Sequence, residues 1–296
     1  MSNKISSSII LALMTTLCAC GANVDEYKNL AKAGQMYSLA LENLLIKRGQ
    51  VTIDLTSESL LAQDMTKTKV TKRTYGELSI ENKRTLQSLK RLIVQTRLLK
   101  SYFTQLSILA NSNSPATDSS KAASIGNNIS KWSGNIKNQN TILKDFIPSI
   151  VKISISNNIR QSLRTELSMR GKTILEALEI QEKLISILRQ EIDSDADLIA
   201  QARESRNVML PIISETSIAN PDEWIKLRRD TLTYNQTVNE LTQASQSLTE
   251  FKDLFKAILE DKVTIARIDS FLKETDDFIK LVEKNKVQET GKTESK

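Results

Sequence analysis

The chain has no histidine. Imidazole is therefore missing as a general base, as the orienter of a nucleophile and as a zinc ligand, and mechanisms that depend on it are excluded. Glycine and proline are scarce too, with 8 and 4 in 296 residues. An all-β fold needs a turn signal roughly every 8–12 residues, so this paucity of breakers argues against one. Aromatic residues make up only 4%. Charge of either sign is not in strong excess: 41 Lys and Arg against 35 Asp and Glu give a net +6, without the interleaved aromatics of a nucleic-acid surface. Nucleic acid is not an expected partner. Only two cysteines occur, Cys18 and Cys20. One residue apart, they cannot reach disulfide geometry without backbone strain, and they lack the further ligands a zinc site needs.

What is present at the start of the chain is a positive amino terminus with Lys4, then an apolar stretch from Ile5 to Leu17. At about 13 residues it is too short to span a bilayer as a helix and has the make-up of a secretory signal core. It is followed by Leu17-Cys18-Ala19-Cys20. This resembles the lipobox of bacterial lipoproteins, with an aliphatic residue three before the modified cysteine and a small one directly before it. Cys18 stands where Ala, Ser or Thr is commoner. The resemblance implies cleavage between Ala19 and Cys20, a diacylglyceryl thioether on Cys20, and usually a further acyl group such as palmitate on the new amino terminus. Each buried methylene contributes about 0.8 kcal/mol, so two or three chains hold a protein stably on a bilayer without spanning it. Gly21 is not the Asp that retains lipoproteins at the inner membrane, and the resemblance therefore implies the outer membrane if the host is Gram-negative.

The expected organisation is a signal peptide over 1–19, a helical domain over 20–284 and a disordered charged tail over 285–296. Apolar residues at helical spacing, Val24, Tyr27, Leu30, Leu41 and Leu45 among them, predict a first helix from Asn23 to the Arg48-Gly49 break. Thr56-Ser57 reads as the cap of a short second helix ending near Lys69. Leu89, Leu92, Thr96, Leu99, Phe103, Leu106 and Ala110 form a heptad-like seam in a third, from Ser79 to Ala110. Asn111 to Ser120 reads as a polar loop, 125–147 as a helix ending at Pro148, and Ile150 to Ile155 as a helical turn rather than an isolated strand. A long helix follows from about Asn158 to Leu210. Asn220-Pro221-Asp222-Glu223 is a strong helix start: a cap, proline at the first position, then acids at the positive end of the dipole. That helix runs to Leu259, and a last one covers Val263 to Lys284. The expected fold is all-α, an elongated antiparallel helical bundle with coiled-coil-like heptad seams.

Three features invite a functional reading. Asp193, Asp195, Asp197 and Glu204 match positions of a calcium-binding loop, but Leu198 stands where that loop needs glycine, and the helical stripe of Ile192, Ile199 and Ala202 runs straight through. An acidic helix face is the expected outcome, with no metal. Ten Lys or Arg lie between Lys67 and Lys100 against Glu77 and Glu81. Lys83, Arg84, Lys90, Arg91 and Arg97 on the third helix could contact an anionic surface, or pair with the acidic stretch Glu176 to Asp197. Polar residues in the seams, Thr96, Gln181 and Asp195, could line a cavity or fix helix register. No glycine-rich phosphate loop, nucleophile elbow or metal-ligand spacing accompanies the many carboxylates, so neither enzyme activity nor a cofactor is expected. The sequence points to a membrane-anchored, non-enzymatic scaffold or interaction module. Its partners would be the bilayer through Cys20 and an unidentified protein or a second copy of itself. The alternative is a membrane-active or small-ligand-sensing bundle.

Overall fold

A computed structural model describes residues 24–65, 70–112, 159–214, 218–260, 262 and 264–290, together with Asp118, Ser120, Ser124 and Asn127; for 65 and 284–290 only the backbone is described. The signal segment, Ala19 and Cys20 lie outside these residues, as do the 125–147 helix apart from Asn127 and the turn at Ile150 to Ile155. The described residues contain no strand. The long elements are α1 (Val24–Met65), α2 (Lys72–Ala110), α3 (Ile159–Arg203), α5 (Pro221–Ala244) and α7 (Ile265–Thr290). A π-helical turn (Glu204–Met209) and a single α-turn, α4 (Leu210–Ile213), follow α3. A 3₁₀ stretch (Ser245–Thr249) joins α5 to α6 (Glu250–Leu259). The chain is an all-α helical bundle.

Cross-helix hydrogen bonds fix the direction of each element. Between α1 and α2 the bonded residues lie 26 apart at Asn82 and Thr56, 55 at Arg97 and Glu42, and 68 at Phe103 and Gln35. A separation that grows in this way means an antiparallel pair. Between α1 and α3 the separation stays between 143 and 149, from Arg48 with Glu191 to Asp54 with Arg203, so these two run parallel. From α3 to α5 and α6 it grows again, 38 at Asp197, 49 at Asp193 and 70 at Glu182, and the pair is antiparallel.

Helix α1 is the middle of the bundle, packed on α2, α3 and α7. Leu30, Ala31, Ala33, Ala40, Leu41, Leu44 and Leu45 are wholly buried, on more than one face, as a central helix requires. Its small residues let neighbours approach. A Cβ on Gly34 would fall well inside 3.0 Å of three carbons of the Phe103 ring, so only glycine leaves room for that ring against the backbone. Phe103 in turn meets Phe251 edge-on at 5.4 Å, and Tyr37 stacks on Phe251 at 4.7 Å. Phe255 and Phe271 complete the group. Few as they are, the aromatics gather where α1, α2, α6 and α7 meet, and each pair adds about 0.5–1.5 kcal/mol beyond its buried area.

The first two expected helices are one. Gly49 does not break α1, because a Cβ there would sit 3.1 Å from a Leu86 methyl and 3.6 Å from Leu89. The missing side chain lets α2 pack closely and offsets a helix penalty of about 1 kcal/mol. Thr56 and Ser57 are not caps either. Their hydroxyls bond back to the carbonyls of Thr52 and Ile53 within the helix. Helix α2 starts earlier than expected, at Lys72, where the Thr71 hydroxyl accepts the Thr74 N–H at 3.1 Å. Helix α7 continues through 285–290, into the stretch expected to be tail.

Candidate interaction site at the far end of the bundle

The end of the bundle away from Val24 is shaped by one proline. Pro211 has no N–H, and its ring crowds the carbonyl four residues back, so an α-helix cannot pass through it undisturbed. The backbone widens instead: Leu210 N–H bonds the carbonyl of Ser205, five residues back, closing a π turn. One α-turn later the chain reverses, and Asn220 caps α5 by accepting the Glu223 N–H at 3.2 Å. The indole N–H of Trp224 reaches the Val208 carbonyl at 3.4 Å, tying α5 to the widened turn.

This end is tied to α1 by ion pairs. Glu58, whose side chain is 7% exposed, accepts from Arg203 at 2.9 Å and from Arg206 at 3.0 Å, and Arg203 also bonds Asp54. The Arg203 guanidinium lies 4.7 Å from the centroid of the Tyr234 ring. A desolvated charged cluster of this kind costs more to disrupt than a surface pair, because each removal strands a partly buried charge.

On this frame sits a concentration of uncovered apolar side chains. Met209, Leu210, Ile212 and Ile213 follow one another along the turn, and Ile213 is 69% exposed. Ile225 and Leu232, one heptad apart, stand outward on α5 at 48% and 53%, while Val238 and Leu241 carry its buried side. Shallow grooves border Trp224, one lined by Leu210, Pro211, Ile218 and Leu227, the other by Ile225, Arg228, Arg229 and Leu232. Scattered exposed apolar residues are ordinary, but a concentration of them at one end of a bundle, beside basic residues, points to an interaction surface. The stretch of α1 from Val24 to Glu58 measures about 50 Å at roughly 1.5 Å per residue, which places this patch far from the first turn.

The residues singled out from sequence fall elsewhere. Lys83, Lys90 and Arg91 project from α2 and pair with nothing among the described residues, Arg84 lies 3.5 Å from Glu81, and Arg97 is bound to Glu42 of α1. The acidic stretch expected as their partner is engaged otherwise: Glu182 with Lys252 at 2.7 Å, and Glu191 and Asp195 with Arg48. The carboxylates of the calcium-like stretch diverge. Asp193 takes the Thr242 hydroxyl, Asp195 takes Arg48 and Asp197 takes the Asn235 amide. Among the described residues no group of three or more His, Cys, Asp or Glu is placed to hold a metal ion. Of the seam residues, Thr96 bonds back to the Leu92 carbonyl, and Gln181 is buried with its amide oxygen unpartnered.

A buried acid escaped the sequence reading. Glu166 on α3 is wholly buried and paired with Arg170 one turn on, at 2.7 Å, beside the buried hydroxyl of Tyr102. Burial raises its carboxyl to about 7, with Arg170 and Tyr102 opposing the rise. Burial likewise pushes the Tyr102 and Tyr37 hydroxyls up. The i, i+4 spacing of Glu166 and Arg170 was visible, but such pairs are usually on the surface. The uncovered end was less visible still, since nothing local separates an outward Ile225 from an inward one.

No described helix is long and apolar enough to cross a membrane. Comparison of the chain with protein-family models, curated proteins and solved structures finds no match.

Proposed function

We propose that this chain is a lipid-anchored, non-enzymatic interaction module of the cell envelope, held on the bilayer through acylated Cys20 and docking a protein partner at the far end of its bundle. The observation that carries this reading is the concentration of uncovered apolar side chains at that end, Ile212, Ile213, Ile225 and Leu232 among them, about 50 Å along α1 from the end nearest Cys20. The filled, aromatic-rich middle of the bundle offers a spacer between the two ends. The lipobox-like Leu17-Cys18-Ala19-Cys20 supports the anchor by sequence. Two or three acyl chains would make attachment stable to high salt and carbonate washing.

The anchor is tested by fractionating cells that express the wild-type chain or Cys20→Ala. The wild type stays with carbonate-washed membranes and Cys20→Ala does not. A Cys20→Ala chain retained as well as the wild type refutes lipid anchoring at this residue.

A further inference from the structure

We infer that the bundle reclines on the bilayer that holds Cys20, with the outer face of α2 against anionic lipid headgroups. This rests on the reading of Cys20 as the anchor and adds a second, electrostatic contact. Charge is not spread evenly along the chain. Helix α2 carries eight Lys or Arg against Glu77 and Glu81, a net +6, as large as that of the whole 296-residue chain. Ile80, Lys83, Arg84, Lys90, Arg91 and Val94 share one side of the helix at steps of three, four and seven residues, and all six are exposed. Glu81, the one acid in this span, lies at the edge of that face, 3.5 Å from Arg84. Lys83, Lys90 and Arg91 have no partner among the described residues.

The side chains interleaved with the charge point to lipid. Ile80 is 53% exposed, Val94 46% and Ile108 42%, each two heptads from the next. A soluble polyanion offers such groups nothing to bury against, whereas a lipid surface takes them below the headgroups while Lys and Arg extend to the phosphates. Arg97, on the same helix, bonds Glu42, which lies about 27 Å along α1 from Val24. An upright bundle would hold the basic face several screening lengths from the bilayer, since that length is about 8 Å at physiological salt. Reclined, α1 rides on α2 at the roughly 8–10 Å spacing of packed helices, and the three residues between Cys20 and Val24 reach about 10 Å when extended. The anchor keeps headgroups at high local concentration, so contacts that are weak singly suffice. Helix α5, with Ile225 and Leu232 outward, packs on α3 and α7 rather than on α2, so the docking face and the lipid face lie on different helices.

The test places a reporter on the face. In the full acylated chain, cleavage removes Cys18 and the lipid occupies Cys20, so Val94→Cys supplies the one free thiol for an environment-sensitive fluorophore. The labelled chain is reconstituted into vesicles of phosphatidylcholine, or of equal parts phosphatidylcholine and phosphatidylglycerol, each with a trace of lipid spin-labelled at the headgroup. The label at Val94 is quenched in the mixed vesicles, and falls to the level of a Leu232→Cys label in pure phosphatidylcholine and in 1 M salt, where the screening length is about 3 Å. Each Lys or Arg near anionic lipid favours the reclined state about fivefold, so Lys83→Gln, Lys90→Gln and Arg91→Gln together lower the ratio of reclined to upright about a hundredfold. Quenching at Val94 no greater than at Leu232 in mixed vesicles that still carry the chain on flotation overturns the inference and leaves the anchor standing. Equal quenching in pure phosphatidylcholine overturns the role of headgroup charge. A Val94 label unquenched by lipid but shifted by added polyphosphate assigns the face to a soluble polyanion and overturns the bilayer as its occupant. A chain that floats with neither vesicle in 1 M salt refutes the anchor instead.

Discussion

Alanine in place of the helical glycines should give effects of opposite sign, set by what each missing Cβ would meet. At Gly76 there is nothing within 4 Å, so Gly76→Ala gains only the helix preference of alanine and stabilises by about 0.5–1 kcal/mol. At Gly34 the same gain is opposed by a collision with three carbons of the Phe103 ring, which is wholly buried and edge-on to both Phe251 and Phe255. Overpacking of this kind costs about 1–3 kcal/mol when the neighbour can shift. Expulsion of the ring would cost about 3–5 kcal/mol. A ring fixed by two aromatic partners shifts poorly, so Gly34→Ala is expected to destabilise by about 2 kcal/mol after the propensity gain. Gly171 is the intermediate case. Its Cβ would meet a methyl of Leu259 at 2.5 Å, the far end of a flexible side chain, and Gly171→Ala should fall within about 1 kcal/mol of the wild type. Urea unfolding followed by circular dichroism at 222 nm orders the variants. Phe103→Leu, combined with Gly34→Ala, should recover at least about 1 kcal/mol of the loss by coupling. A Gly34→Ala chain as stable as the wild type refutes the claim that this glycine exists to seat Phe103.

Two further outcomes follow from the charged groups. The Glu166 carboxyl titrates at about 7 in the fold against 4.5 as a free side chain, so the native state holds the proton more tightly than the unfolded one. Its favourable contribution is complete below pH 4.5, declines as pH rises towards 7, and amounts to about 3 kcal/mol over that window. Glu166→Gln cannot titrate, so the difference in unfolding free energy between wild type and variant should change by that order between pH 4.5 and 8. Parallel profiles would contradict it. Removing Glu58 with Glu58→Ala strands Arg206 and leaves Arg203 a single carboxylate, Asp54, beside the Tyr234 ring, and should cost about 2 kcal/mol by the same unfolding assay. An unchanged midpoint would show that the cluster does not fasten the far end to α1.

The helices were legible because their apolar spacing is a one-dimensional signal. Of the seam read on α2, Leu89, Thr96, Leu99, Phe103, Leu106 and Ala110 are buried and Leu92 is partly buried, and Asn220-Pro221 caps α5 as read. Errors arose where one residue type serves two local structures. Glycine ends a helix or admits a neighbour, and Gly49 does the second. Threonine caps a helix or bonds back within it, and Thr56 does the second. The difference depends on Leu86 and on Asn82, more than 25 residues away, which no local rule consults.

Helix direction was harder to read for a related reason. The parallel course of α1 and α3 is fixed by Arg48 with Glu191 and Asp195, and by Glu58 with Arg203 and Arg206, pairs that in sequence are a few among many possible ones. The basic flank of α2 suggested the opposite assignment, lysines against the acids of α3, because it held the larger surplus of charge. Geometry overrides surplus here: α1 lies at the centre of the bundle, so its few ionised side chains are the ones that face α3 at short range and are partly desolvated. A pair 13–18% exposed, such as Arg48 and Asp195, gains far more from neutralisation than an exposed lysine on α2 does. The same reasoning explains why the far end carries apolar groups outward. With Arg203 and Arg206 committed inward to Glu58, the last turns have fastened themselves to α1 by charge. Met209 to Ile213 and Ile225 are then not needed to hold the end in place, which leaves them free to be covered by something else.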